Sequence, residues 1–339
     1  MELREGTRLI EATGRPGFGL YRDPLTDLDV RELRVYGKDK RGPGRGFCSL
    51  FRFKRWQYLG VCNERLICGI AVVSLGYLGQ MFAYVYERAK GELREHESIR
   101  PLGIGIRIDG SSASGRARFR GGRTQVDMTD AKEFILLKAD IEGRFKADLK
   151  FERYRESLNL VSRVGLAGFN YTTKESGMPV EGTVVLDGRS YGIERADSSG
   201  VLDYTLGLLS RRTFWNWASG GGFDAGGKRV GFNLVQGVNE TGYTENVFWV
   251  DGRMVKTDTV DFRYDDLDLM KPWTLLSRDG KINLVFYPEG ERKKNVNLGF
   301  LMSRFRQPFG RFEGTLGDGG QVYRVRSAWG FTEEHEAKW

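Results

Sequence analysis

Cysteine, histidine and proline are scarce in this chain, at three, two and eight of 339 residues. Cys48, Cys62 and Cys68 all lie early in the sequence. Their odd number and spacing fit neither a zinc site nor a redox pair, and they read as buried thiols of a reducing compartment. The two histidines, His96 and His335, stand in charged surroundings in different halves. They are therefore not expected to form a metal centre or a serine triad, and both read as solvated surface residues. A phosphate-binding glycine loop is also missing. GIGIR at 103–107 and GGGFDAGG at 220–227 have no lysine at the required spacing, and the second reads as a flexible loop. The first residues, MELREGTRLIEATGR, hold no apolar core. No signal peptide is read there, and a cytoplasmic location is expected.

Lysine and arginine exceed aspartate and glutamate, giving a net charge of +8, yet the charges are interspersed and form no basic block. Nucleic acid is not expected as a partner. The charge slightly favours a ligand bearing a carboxylate or phosphate, or loose peripheral contact with an anionic membrane. One uncharged run, residues 66–86, is long enough to span a bilayer. Gly76 and Gly79 divide it, so two buried strands at about 66–74 and 80–86 are the better reading.

Glycine is abundant, at 46 residues. Five Asp-Gly pairs, at Asp109, Asp187, Asp251, Asp279 and Asp318, lie between strand-like runs, and this dipeptide favours hairpin turns. Residues 144–153, 116–120 and 322–325 alternate as strands do. Helical periodicity is weak; 82–92 and 129–137 are the only stretches read as helix candidates, and 157–176 carries few strand signals. The expected fold is mainly β, with two lipocalin-like antiparallel barrels or curled sheets packed together and few short helices. The division is placed near 210, giving an N-terminal domain at 1–210 and a C-terminal domain at 211–339.

Residues 203–219, DYTLGLLSRRTFWNWAS, concentrate the chemistry. On an extended strand Trp215 and Trp217 share a side with Arg211 and Thr213, while Arg212 and Asn216 face the other way. An aromatic wall beside charge suits a large apolar ligand with a polar handle. Burial would raise the Asp203 carboxyl and leave part of it protonated, while Arg211 or Arg212 would oppose the rise. A second polar cluster falls in 231–252, with Asn233, Gln236, Asn239, Glu240, Glu245 and Asn246.

Taken together, DYTLG, RRTFWNWAS, GFNL with TEN and VDG, KPW, RQPFGRFEGTL and GFTEEHEAKW resemble the domain of unknown function 2804 family. The likeness is close over the second half and looser over the first. That family is similar to the carotenoid hydratase and tocopherol cyclase group of paired lipocalin-like domains. The resemblance implies apolar or lipid-like ligands between the two barrels. It carries over Asp203 as the counterpart of the hydratase acid. The neighbouring histidine and tryptophan of that branch are replaced here by Tyr204 and Leu206 or nearby residues.

Two readings share one pocket. In the first, a hydrophobic or amphipathic molecule of lipid or isoprenoid class is bound. Trp215, Trp217 and Trp249 form the wall, and Arg211, Arg212, Asn233 and Asn246 hold its polar end. In the second, a cofactor-independent hydratase, cyclase or isomerase acts by proton transfer from Asp203, assisted by Glu245 or Tyr204. A structural or protein-interaction module is the third reading and needs no pocket. No cofactor or metal is implied by any of them.

Overall fold

The structure is a computed structural model that describes residues 3–34, 52–166, 168–238, 242–299 and 301–339. Period-two patterning governs the strands. In Phe145–Glu152, FKADLKFE, buried and exposed residues alternate without interruption, as a sheet with one face on a core requires. Two curled antiparallel sheets result. Every described strand up to Leu208 lies in the first sheet, and every one from Arg212 onward in the second.

The first sheet runs from edge strand Glu92–Pro101 through Leu78–Glu87, Leu66–Ser74 and Lys54–Cys62 to Ser199–Leu208 and the long Gly168–Leu186. It continues through Phe145–Glu152 to Ile106–Ile108. In the second sheet Arg212–Asp224 lies between Arg229–Gln236 and Gln321–Lys338, followed by Met302–Asp318 and Ile282–Asn297. Each sheet curls around its own core. One core includes Phe119, Phe151, Phe169 and Tyr171; the other includes Phe232, Trp273, Phe286 and Phe312. A third cluster joins Tyr58, Tyr84 and Tyr86 of the first sheet to Trp217, Phe309 and Phe331 of the second.

The apolar run at 66–86 forms the strands Leu66–Ser74 and Leu78–Glu87, turning at Gly76 with φ 86°. Asp187-Gly188 and Asp251-Gly252 have both residues at positive φ, 47° and 84° in the first and 47° and 81° in the second. Those angles suit two-residue hairpins.

Four local expectations are corrected. Residues 82–92 are strand around a single 3-10 turn, Arg88–Lys90, because Leu78–Glu87 is covered on both faces and loses its alternation. Residues 129–137 belong to the strands Thr124–Asp130 and Phe134–Ile141. The stretch 157–176 carries Leu158–Val164 and the start of Gly168–Leu186; its inward side chains are largely polar, which hid the pattern.

The fourth correction is GGGFDAGG, whose first glycines sit inside Arg212–Asp224, where the two sheets cross backbone to backbone. A Cβ on Gly221 would stand 2.7 Å from the Gly177 Cα, and one on Gly231 would stand 2.1 Å from the Ser176 carbonyl oxygen. The Ser176 and Ser219 hydroxyls meet at 2.6 Å beside this crossing.

Cys62 and Cys68 are buried and free, and burial raises both thiols. Cys48, Asn239 and Glu240 lie outside the described residues. Among the described residues, no helix is long and apolar enough to cross a membrane.

Candidate functional site

Between the sheets lies a chamber of about 400 Å³. Its apolar walls include Trp56, Tyr58 and Phe82 from the first sheet and Trp215, Trp217 and Phe305 from the second. Two buried polar clusters interrupt them.

The first cluster centres on Lys174. The register of Gly168–Leu186 against Ser199–Leu208 sets Lys174 directly opposite Asp203. The Lys174 Nζ lies 3.6 Å from Asp203 Oδ1 and 2.9 Å from Glu245 Oε2, and 4.8 Å from the Trp217 ring centroid. Burial works against the ammonium, but Asp203 and Glu245 outweigh it and hold the lysine above its ordinary pKa. Asp203 Oδ2 accepts the Trp56 indole N–H at 3.0 Å, and Oδ1 accepts the Thr205 hydroxyl at 3.1 Å. The indole N–H can only donate, so Asp203 Oδ2 is an acceptor here, while the ammonium faces Oδ1 as an ion pair. Glu245, from the connection before Val247–Val250 in the second sheet, also accepts from Asn170 Nδ2 at 3.3 Å. The cluster therefore binds the two sheets together as well as facing the chamber. Breaking such a buried pair typically costs roughly 3–5 kcal/mol, because the abandoned charge stays desolvated.

The second cluster stands on Gln321–Lys338. Trp217 is in register with Glu333, and Trp215 with His335. Glu333 Oε1 accepts the Trp215 indole N–H at 2.9 Å, and Oε2 accepts Gln307 Nε2 at 3.2 Å. Burial raises Glu333 to about 7, against the Trp215 hydrogen bond, and the Asp203 charge adds to the rise. Among the described residues, the Gln307 Oε1 is buried with no hydrogen-bond partner. Rotation of that amide offers Oε1 to the proton of a neutral Glu333. Burial, helped by the Arg292 charge, depresses His335 to about 3, so its ring is neutral across the ordinary range. The His335 Nε2 meets the Ser303 hydroxyl at 2.9 Å. The reading of His335 as a solvated surface residue is thus corrected. His96 is partly exposed, with Nδ1 3.9 Å from Glu142.

Of the residues singled out from sequence, Asp203, Glu245, Trp215 and Trp217 line the chamber. Tyr204 faces the opposite side of its strand and packs on Tyr171, ring to ring at 6.3 Å, inside the first core. Trp249 packs with Leu20, Leu158 and Leu160 and donates to the Glu156 carbonyl at 2.7 Å. Asn233 and Asn246 hold the wall in place: Asn233 Oδ1 accepts the Trp217 indole at 2.8 Å, and Asn246 Oδ1 accepts the Val235 amide at 2.7 Å. Arg212 is exposed. Arg211 borders a second cavity of about 580 Å³ with Arg52, Lys54 and Tyr77, and that cavity shares Leu209 and Trp339 with the chamber.

Sequence reasoning passed over Lys174, Arg292, Gln307, Glu333 and His335 as site residues. Three of them stood inside quoted motifs, Gln307 in RQPFG and Glu333 and His335 in GFTEEHEAKW. Convergence of those motifs on one chamber is the signal that could have found them. Among the described residues, no group of three or more histidine, cysteine, aspartate or glutamate side chains is placed to hold a metal ion.

The family model described as Domain of unknown function (DUF2804) matches residues 1–339, and the chain belongs to that family. A search of curated proteins finds no match. Among solved structures, CghA in complex with Sch210972 is similar at TM-score 0.53 and 12% identity, covering 98% of this chain and 97% of its own. A putative AttH from Nitrosomonas europaea is similar at TM-score 0.52 and 14% identity, covering 91% and 99%. At these identities the likeness is one of fold.

Proposed function

We propose, taking membership of the DUF2804 family as premise, that this protein binds a largely apolar small molecule with a polar end in the chamber between its two sheets. One observation carries the reading: an aromatic-walled space of about 400 Å³ that also buries an ammonium and several carboxylates. Ligand pockets combine apolar walls with a few convergent polar groups in this way, at volumes of roughly 300–1,000 Å³. The fold neighbour solved with Sch210972 supports a small-molecule site in this architecture.

The neutral probe dodecanol tests the reading. It should quench the protein's tryptophan fluorescence saturably, and Trp217→Ala should weaken its binding by about tenfold, or roughly 1.4 kcal/mol. Unchanged affinity in that variant would sink the assignment.

A second reading, proton-transfer catalysis as a hydratase, cyclase or isomerase, is favoured by Glu333. A carboxyl near 7 inside an apolar chamber has the acidity a general acid needs at neutral pH. In this reading Asp203 orients Lys174 and Trp56, and Glu333 is the acid. Mass spectrometry of compounds co-purifying with the unmodified protein and with Glu333→Gln separates the two readings. Identical compounds in both support binding alone. An altered compound accumulating only in the variant supports turnover.

A further inference from the structure

Arg292 carries donors that the fold does not use. It lies in Ile282–Asn297, lines the chamber and is 5% exposed. Its guanidinium carbon stands 4.4, 5.6 and 5.0 Å from the ring centroids of Phe82, Tyr84 and Phe305. Nε donates to Glu95 Oε1 at 2.5 Å, and among the described residues no acceptor takes a hydrogen bond from Nη1 or Nη2. A guanidinium offers five donors in a planar fork, and buried polar groups are normally satisfied.

The surroundings narrow what the fork would take. Lys174 is held by two carboxylates, and Lys294 is bonded to Glu97. Arg292 differs from them in meeting its one carboxylate, Glu95, through Nε, which leaves the Nη edge of the fork facing no hydrogen-bond acceptor among the described residues. Its partner Glu95 has a side chain 42% exposed, so solvent screens that charge. Gln307, the register partner of Arg292, bonds Glu333. His335, on the same wall, is neutral and does not compete for an anion.

A planar carboxylate matches the fork with two parallel charge-assisted hydrogen bonds.

We propose that Arg292 anchors a carboxylate of the chamber's ligand, which makes the ligand class an apolar carboxylic acid. This rests on the chamber being a binding site. Phe82, Tyr84 and Phe305 surround the guanidinium, and the apolar remainder of the acid lies against Trp215 and Trp217.

Dodecanoate and dodecanol, each titrated below its micellar concentration into the full chain at pH 7, test the assignment. Dodecanoate should bind at least about tenfold tighter than dodecanol, and Arg292→Met should erase that preference. Equal binding of the two probes to the unmodified protein overturns the carboxylate anchor and leaves the chamber reading standing. A preference that survives in folded Arg292→Met overturns it as well. Failure of both probes to bind overturns the chamber reading together with the anchor. The ratio in the unmodified protein is informative whether or not the variant folds.

Discussion

At the scale of single residues, Glu333 and His335 pull stability in opposite directions with pH. Glu333 titrates at 4.5 when solvated and at about 7 in the fold. Between those values the native state holds a proton that the unfolded chain has lost, so stability falls as pH rises through the window. Asp130, raised by burial from 3.8 to about 7, acts in the same sense. His335, depressed from 6.5 to about 3, does the reverse, and its contribution is lost as pH falls from 6.5 toward 3. Glu333→Gln removes one falling contribution and keeps an oxygen for the Trp215 indole. Its stability relative to the unmodified protein should therefore climb between pH 5 and pH 8, by up to roughly 3 kcal/mol. Urea denaturation at the two pH values measures this, and an equal difference at both would contradict the placement of Glu333. None of it is readable in TEEHE, where acid and histidine look like any solvated charge run. Lys174 was hidden for the same reason: YTTKES looks too polar for a strand until its inner face proves to be a lined chamber.

At the scale of elements, turn chemistry was legible and face assignment was not. Asp187-Gly188 and Asp251-Gly252 announce their hairpins because few residues adopt positive φ at two successive positions. Leu78–Glu87 misleads because its even positions face the chamber and the second sheet while its odd positions face the first core. Apolar residues therefore run on without alternation, and such runs do not distinguish helix from buried strand. The glycines of Arg212–Asp224 and Arg229–Gln236 serve close approach rather than flexibility. Gly231→Ala would force a Cβ against Ser176 and Gly177 backbone, and should destabilise by about 1–3 kcal/mol. Gly192→Ala meets nothing within 4 Å among the described residues and should stay within about 0.5 kcal/mol of the parent. Thermal denaturation of the pair measures the difference, and a tolerated Gly231→Ala would show that the crossing is looser than described.

At the scale of the whole molecule, the chamber belongs to neither sheet alone. Glycine backbones and the Ser176–Ser219 contact close one side. Arg88 with Glu289, and Arg292 with Glu95, tie the edge strand Glu92–Pro101 and its neighbourhood to Ile282–Asn297 on the other. A ligand touching both walls stabilises the native state by mass action. Saturation with dodecanol should therefore slow amide hydrogen exchange in Glu92–Pro101 and Met302–Asp318 together, by a factor that grows with ligand concentration. Slowing confined to one of the two strands would place the ligand elsewhere.

The sequence by itself determined the class of this protein. Period-two patterning, Asp-Gly turns and weak helical signals leave little but antiparallel sheet, and a tryptophan pair two residues apart must share a face. These are local properties, fixed by backbone geometry within a few residues. Tertiary structure alone decided which charges are buried. Arg292 and Glu95 stand 197 residues apart, and Glu245 reaches Lys174 from the other sheet. Desolvation depends on what covers a group. Only the packing of one sheet over the other turns Lys174, Arg292, Glu333 and His335 from apparent surface charges into the polar lining of an apolar chamber.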